Sequence, residues 1–385
     1  MIGPEMDQRY FDETHELLRR SIRTFVEREI RPFLDDWEEA EEIPRELYKK
    51  AAEAGYLGLG YPEALGGTSG DDFHKIVQTE EFVRCGSLGV VAGLFSFEIG
   101  LPPILIAGTE EQQRRFIPPV LAGDRISALA ITEPNAGSDV AGIQTRAVRD
   151  GDVFVVNGAK TFITSGCRAD YVTTAVRTGG PGSGGVSVLV VEKDSPGFSV
   201  AKKLRKMGWH CSDTAELVFA DCRVPVENLI GQENEGFGAL MHNFIGERLF
   251  LAVEACAAAQ LAYEASVDYA RERQAFGRPL TGFQVTRHKL ADMATEITAA
   301  REFNYSLAAK LRDGEPVTAA EAAMAKNFSC GVCDGVVHEA VQIHGGYGYA
   351  REYLVERLYR DTRILSIGGG TTEIMKEIIA KDLGI

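Results

Sequence analysis

The sequence predicts a segregated α+β fold: an N-terminal helical domain over residues 1–126, a β-barrel-like middle domain over 127–235 and a C-terminal four-helix bundle over 236–385. Three observations predict it. Apolar residues recur at three- and four-residue steps through the first third. From Ser127 the pattern changes to β-rich runs separated by glycine-rich turns. Beyond Gly236 long helical periods return. Helices, then strands, then helices give separate layers rather than alternating βαβ units. A chain of 385 residues is long enough for two or three domains, burying about three-quarters of its unfolded surface.

In chain order, Leu18, Ile22, Phe25, Val26 and Ile30 mark a first helix, with Pro32 as its expected stop. Residues 47–54 form a second, closed by Gly55, and 71–85 an amphipathic third. Thr109 is a suitable N-cap for a helix over 110–121. In the middle third, Asp150-Gly151 between β-rich runs predicts a type I′ hairpin. Strands are expected at 171–177 and 186–192, joined by the loop 178–185, and at 217–224, ended by Pro225. The last third reads as helices over 236–274, 284–313, 318–344 and 371–383.

Forty-one Lys plus Arg stand against 56 Asp plus Glu, a formal charge of −15, which argues against a nucleic-acid partner. Seven scattered cysteines form no disulfide framework and favour a reducing, cytoplasmic setting. The opening Met1-Ile2-Gly3-Pro4-Glu5 turns charged too soon for a secretory leader. The apolar stretch 88–108 contains Glu98 and Pro102-Pro103, so a buried helix pair is expected there rather than an integral membrane span.

Several motif matches fail on context. Residues 180–185 fit G-x-G-x-x-G but lie between two strands and open no helix, so a hairpin loop is the better reading. Cys330 and Cys333 share a helix face without a second ligand pair, so no metal site is assigned and buried small side chains are expected. His338, Glu339 and His344 do not have the spacing of a zinc-protease helix, and no phosphate loop or serine elbow is present.

One helix stands out physically. Residues 236–263 are apolar nearly all round, which predicts burial, yet Glu247, Arg248 and Glu254 lie within them. Leu240, Phe244, Glu247, Leu251, Glu254, Ala258 and Leu261 fall on one stripe. A carboxyl on such a stripe is costly unless paired or used, and desolvation raises its pKa toward the range of a general base. Ion pairs with Arg248 or with another helix account for it equally well.

These residues and four surrounding segments resemble the acyl-CoA dehydrogenase family along essentially the whole chain. The segments are AITEPNAGSD (130–139), GAKTFITSG (158–166), RERQAFG (271–277) and QIHGGYG (342–348). The resemblance is to the long-chain and isovaleryl-CoA type, and it implies the same three-domain fold, FAD as cofactor, and oxidation of acyl-CoA thioesters to trans-2-enoyl-CoA. It places Leu129, Ile131, Thr132, Gly137, Ser138, Phe162 and Thr164 at the flavin, with Ser138 also touching the thioester. Arg273, Phe276 and Gln284 would reach the FAD of a neighbouring subunit, with Gln342, Gly345, Gly346, Thr371 and Glu373 also lining it. Arg248, Gly369 and Gly370 would meet the substrate. Phe162 stands where many members carry tryptophan.

The departure from the common pattern is informative. Many members carry their catalytic glutamate in a Tyr-Glu-Gly-Thr segment, whereas this chain has Gly368-Gly369-Gly370-Thr371. The resemblance therefore assigns the base to Glu247, next to Arg248 on the central helix, with Glu254 the weaker candidate. It implies α-proton removal by Glu247, β-hydride transfer to flavin N5, and an enolate held partly by the Gly369 N–H. It further implies electron-transferring flavoprotein as partner, a homotetramer, and a role in fatty acid β-oxidation. An acyl-CoA oxidase using dioxygen and a non-catalytic flavin or acyl-CoA scaffold are the alternatives.

Overall fold

The computed structural model describes residues 7–385. The segment 1–5, read above as no leader, lies outside the described residues. Helix α1 (Glu13–Phe25) opens on a capping box, with the Asp12 carboxylate accepting from the Thr14 and His15 N–H groups and the His15 ring accepting from Asp12. Pro32 does not stop the chain as expected. A π turn (Val26–Ile30) and a 3-10 turn (Arg31–Phe33) carry it into α2 (Leu34–Ala40). Pro32 sits in the first positions of the new turn, where a helix needs no N–H, so the proline starts a segment instead of ending one.

Helices α3 (Arg45–Glu53) and α4 (Asp72–Val83) follow. The stretch 88–108 becomes α5 (Leu88–Leu94), α6 (Phe97–Gly100) and α7 (Pro102–Ala107). Among the described residues no single helix is long and apolar enough to cross a membrane. The bent pair that passes by composition turns through 47° and buries Leu88, Val90, Leu94, Phe97, Leu101 and Ile104 in the core. The helix expected over 110–121 divides into α8 (Glu110–Phe116) and α9 (Pro118–Leu121), because Pro118 has no N–H to continue the ladder.

The middle of the chain is an eight-stranded sheet: β1 (Ser127–Ala130), β2 (Arg146–Asp150), β3 (Val153–Thr164), β4 (Tyr171–Arg177), β5 (Val186–Glu192), β6 (Phe198–Lys203), β7 (Thr214–Pro225) and β8 (Leu229–Ile230). Its order is β6-β7-β3-β2-β4-β5-β8, with β1 parallel to β4. The strands share a core of Phe154, Val156, Ile163, Val172, Leu189, Val191, Leu217 and Phe219. The β2–β3 hairpin forms with Asp150 opposite Val153, so its turn is Gly151-Asp152, one residue later than expected. Only Gly151 takes a positive φ, +64°, so the turn is not type I′. Strand β6 escapes the sequence pattern because all but its first residue are exposed.

The third layer is α10 (Gly236–Glu272), α11 (Gln284–Arg312), α12 (Ala319–His344), α13 (Leu354–Thr362) and α14 (Thr372–Leu383). A short hairpin of β9 (Gln274–Ala275) and β10 (Arg278–Pro279) joins the first two. Helix α10 packs on α11, α12 and α4, and α12 packs on α14. Helix α13 was not expected, since it buries only Val355 and Leu358 as apolar anchors. The α10 stripe therefore faces a space between the bundle, the sheet and α4 to α6.

Candidate active site

That space is a cavity of about 740 Å³. One wall is the α10 stripe, including Phe244, Glu247, Leu251 and Glu254. Glu247 is half-buried, and its Oε2 is shut off from solvent with no hydrogen-bond partner. Burial pushes its carboxyl up to about 7, against the pull of the Arg248 and Lys326 cations. Arg248 does not pair with it. The Arg248 Nε donates to the Gly369 carbonyl at 3.2 Å, and its guanidinium lies 5.5 Å from the Phe244 ring centre. The ion-pair reading of this carboxylate thus lacks its partner.

The second wall is the loop before α14. Gly369 and Gly370 have φ of +63° and +102°, conformations that suit glycine. Arg248 grips the Gly369 carbonyl, and Lys326 Nζ donates to the Gly370 carbonyl at 2.6 Å. The Gly369 N–H has no protein partner among the described residues. A Cβ built on Gly369 would lie 3.4 Å from Glu247 Oε1 and 2.7 Å from Leu251 Cδ1. Residue 369 and the Glu247 carboxyl therefore converge on one volume. Lys326 was missed in the sequence. Its only signal is a lone cation in the run Ala322-Ala323-Met324-Ala325, on a helix that buries this face.

The third wall comes from the sheet. Leu129, Ile131, Thr132, Gly137, Ser138, Phe162 and Thr164 all line the cavity, as do Gly369, Gly370 and Arg248. The β3–β7 register shifts between Lys160 and Ile163, and such a bulge re-aims a side chain. Phe162 sits in it at φ +60° with its ring 68% exposed along the cavity. Beneath, Lys160 is fully buried and donates at 2.8 Å to both the Ile131 carbonyl and Glu133. Glu133 in turn accepts from the Gln144 and Thr145 N–H groups. This buried pair ties the 130–139 segment to β3, which fixes the hydroxyl-bearing wall.

The remaining expected residues stand elsewhere in this chain. Arg273, Gly345 and Gly346 line a second cleft with Tyr269, His344 and Tyr347. Phe276, at the tip of the β9–β10 hairpin, is 97% exposed at φ +50°. Gln284 and Gln342 are exposed. Thr371 caps α14 through its bond from the Ile374 N–H, and Glu373 is exposed in that helix's first turn. Cys330 and Cys333 are buried, with thiols pushed upward by desolvation.

Three family descriptions match this chain in succession. They are the acyl-CoA dehydrogenase N-terminal domain over residues 12–124, the middle domain over 128–222 and the C-terminal domain over 234–384. The chain belongs to the acyl-CoA dehydrogenase family. Among curated relatives, the long-chain specific acyl-CoA dehydrogenase of Rattus norvegicus mitochondria is 40% identical, covering 98% of this chain and 88% of the relative. The CarC subunit of the caffeyl-CoA reductase-Etf complex of Acetobacterium woodii is 38% identical, covering 96% and 98%. Among solved structures, the acyl-CoA dehydrogenase of Geobacillus kaustophilus is 42% identical with a TM-score of 0.95, covering 98% of this chain and 100% of that one. The Bacillus anthracis acyl-CoA dehydrogenase complexed with FAD is 32% identical with a TM-score of 0.91, covering 97% and 67%.

Proposed function

We propose that this acyl-CoA dehydrogenase oxidises an acyl-CoA thioester at Cα–Cβ, with Glu247 as the base. One observation carries the assignment: the Glu247 carboxyl stands on the cavity wall without a partner, within Cβ reach of the Gly369 loop. The residues present fit FAD. Phe162 offers a flat apolar face, the Thr132, Ser138 and Thr164 hydroxyls line the same wall, and a Cβ at Gly137 would meet nothing within 4 Å. When bound there, FAD supplies the acceptor for the hydrogen and electron pair leaving Cβ.

The chain's own residues supply the rest. A thioester α-hydrogen is weakly acidic, so the developing enolate oxygen needs a donor that is already in place. The Gly369 N–H is held for that role because Arg248 and Lys326 fix the neighbouring carbonyls. Glu247, raised to about 7, is a stronger base than an ordinary carboxylate, which lowers the uphill cost of taking the proton near neutral pH. Phe237, Met241, Phe244, Phe250 and Leu251 keep the reacting carbons dry.

Electron-transferring flavoprotein is the proposed electron acceptor, supported by the relative that belongs to an Etf complex. A homotetramer is proposed as well. Phe276 projects into solvent from a hairpin outside the main cavity, so it and Arg273 would act on a second copy. The reaction class is the first oxidation of fatty acid β-oxidation. Anaerobic mixing of the FAD-loaded protein with a panel of acyl-CoAs tests the proposal: bleaching of the flavin, reversed by electron-transferring flavoprotein, is expected. Absence of bleaching across the panel refutes it, and stoichiometric peroxide in air would make the protein an oxidase.

A further inference from the structure

The reaction above leaves the cavity carboxyl of Glu254 without a task. Glu254 lies seven residues beyond Glu247 on α10, two helical turns on and about 10 Å farther along nearly the same face. It lines the same cavity and is 8% exposed, and its Oε1 is sealed with no hydrogen-bond partner. Other buried carboxylates in this chain have partners: Glu81 pairs with Arg19 and Arg23, Glu133 with Lys160 and Asp213 with Arg168, and Asp361 accepts from the Leu88 and Trp209 N–H groups. Among the described residues no cation pairs with Glu254. The titratable groups that act on it or feel it are Asp361 and Cys330, both on the bundle side. On α6, Glu98 adds a second unpartnered oxygen to the lining, its Oε1, although its Oε2 lies 3.4 Å from Lys75 Nζ. A pocket for a purely hydrocarbon chain has no use for such groups, since each leaves a polar atom unpaired against methylenes.

We propose that the acyl group oxidised here carries a neutral oxygen function, a hydroxyl or keto oxygen, about eight bonds beyond Cα, where it hydrogen-bonds to Glu254. The span follows from the axial rise of about 10 Å between residues 247 and 254 and about 1.2 Å of advance per bond of an extended chain. This inference rests on the reading of Glu247 as the base, which sets the position of Cα. Burial and the nearby Asp361 push the Glu254 carboxyl up to about 8. At neutral pH it is therefore an acid, with one O–H to donate and one carbonyl to accept, and it matches a hydroxyl or ketone better than a charged end group.

The test compares matched thioesters on the FAD-loaded enzyme: octanoyl- against 8-hydroxyoctanoyl-CoA, decanoyl- against 10-hydroxydecanoyl-CoA, and decanedioyl-CoA as the charged control. The wild type should favour the better hydroxy compound over its plain partner by at least about tenfold in kcat/KM. In Glu254→Leu that ratio should fall to about one, whereas Glu254→Gln, which keeps a donor and an acceptor, should retain it. Dissociation constants measured in Glu247→Gln, where no turnover competes, should show the same ordering. A wild-type ratio near one, a ratio unchanged in Glu254→Leu, lost equally in Glu254→Gln, or a preference for the diacid would overturn the proposal. Plain thioesters that bleach the flavin without any hydroxy preference would sink this inference alone. Failure of every thioester to bleach would sink the assignment of Glu247 with it.

Discussion

Replacing Glu247 by glutamine should stabilise the protein and silence it at once. The carboxyl is lifted from 4.5 to about 7, chiefly by burial. Between those values the unfolded chain gives up its proton while the native state keeps it. Stability is therefore lost as pH rises from about 4.5, and the full penalty is in place above about 7. The rise from 4.5 to about 7, at about 1.36 kcal/mol per tenfold change in proton affinity, gives a penalty of about 3 kcal/mol. Glutamine removes it, so Glu247→Gln should be more stable than wild type by up to about 3 kcal/mol at pH 8, with the gain shrinking toward zero as pH falls to 4.5. Urea unfolding of the FAD-free proteins at several pH values measures this. In the same variant, substrate bleaching of bound flavin should slow by about 10²–10⁴. A stability gain independent of pH would refute the buried-carboxyl argument, and bleaching at the wild-type rate would refute the base assignment.

Other consequences can be measured on the same preparations. The kcat/KM of the wild type should rise with pH through about 7, because the ionised Glu247 is the competent form. Lys326→Met should move that limb upward, since the Lys326 cation favours the Glu247 carboxylate; an unmoved limb would remove Lys326 from the site's electrostatics. The double variant Glu247→Gly with Gly369→Glu should recover part of the activity lost in Glu247→Gly, because both positions reach one volume; no recovery with flavin bound would show that they approach the substrate differently. Cys330 and Cys333 should resist a thiol reagent in the native state and react on unfolding, as buried thiols pushed upward do; rapid native labelling would reopen a redox role for the pair.

Periodicity is a local property, and it made the helical parts of this fold legible. The stripe through Leu240, Phe244, Glu247 and Leu251 could be read from one segment because a helix repeats its face every few residues. The strands at 171–177 and 186–192 were legible as short β-rich runs, being buried along nearly their whole length. What failed was information held between segments. Strand β6 has its partners on β7 and almost nothing buried of its own. Pro32 reads as a stop only until the next turn accepts it. Lys326 gains its meaning from the carbonyl of Gly370, 44 residues away. No single segment shows that Glu247 lacks a partner, since that depends on Arg248 having been taken by the Gly369 carbonyl.

That last dependence shows how the proposed base on the helix and a glycine-only loop belong together. A glutamate at 369 would have to be carried at φ +63° with its Cβ 2.7 Å from Leu251 Cδ1, and left-handed backbone costs a side-chain-bearing residue about 1–2 kcal/mol. Glycine removes that cost and lets two consecutive residues take positive φ. Two consecutive residues can then turn their carbonyls to Arg248 and Lys326. A carboxyl carried on α10 still reaches the volume that a side chain at 369 would enter, because a Cβ built on Gly369 would lie 3.4 Å from Glu247 Oε1. In the proposed mechanism the helix is a rigid carrier for the acid, and the loop, relieved of that task, would hold an enolate oxygen through its backbone alone.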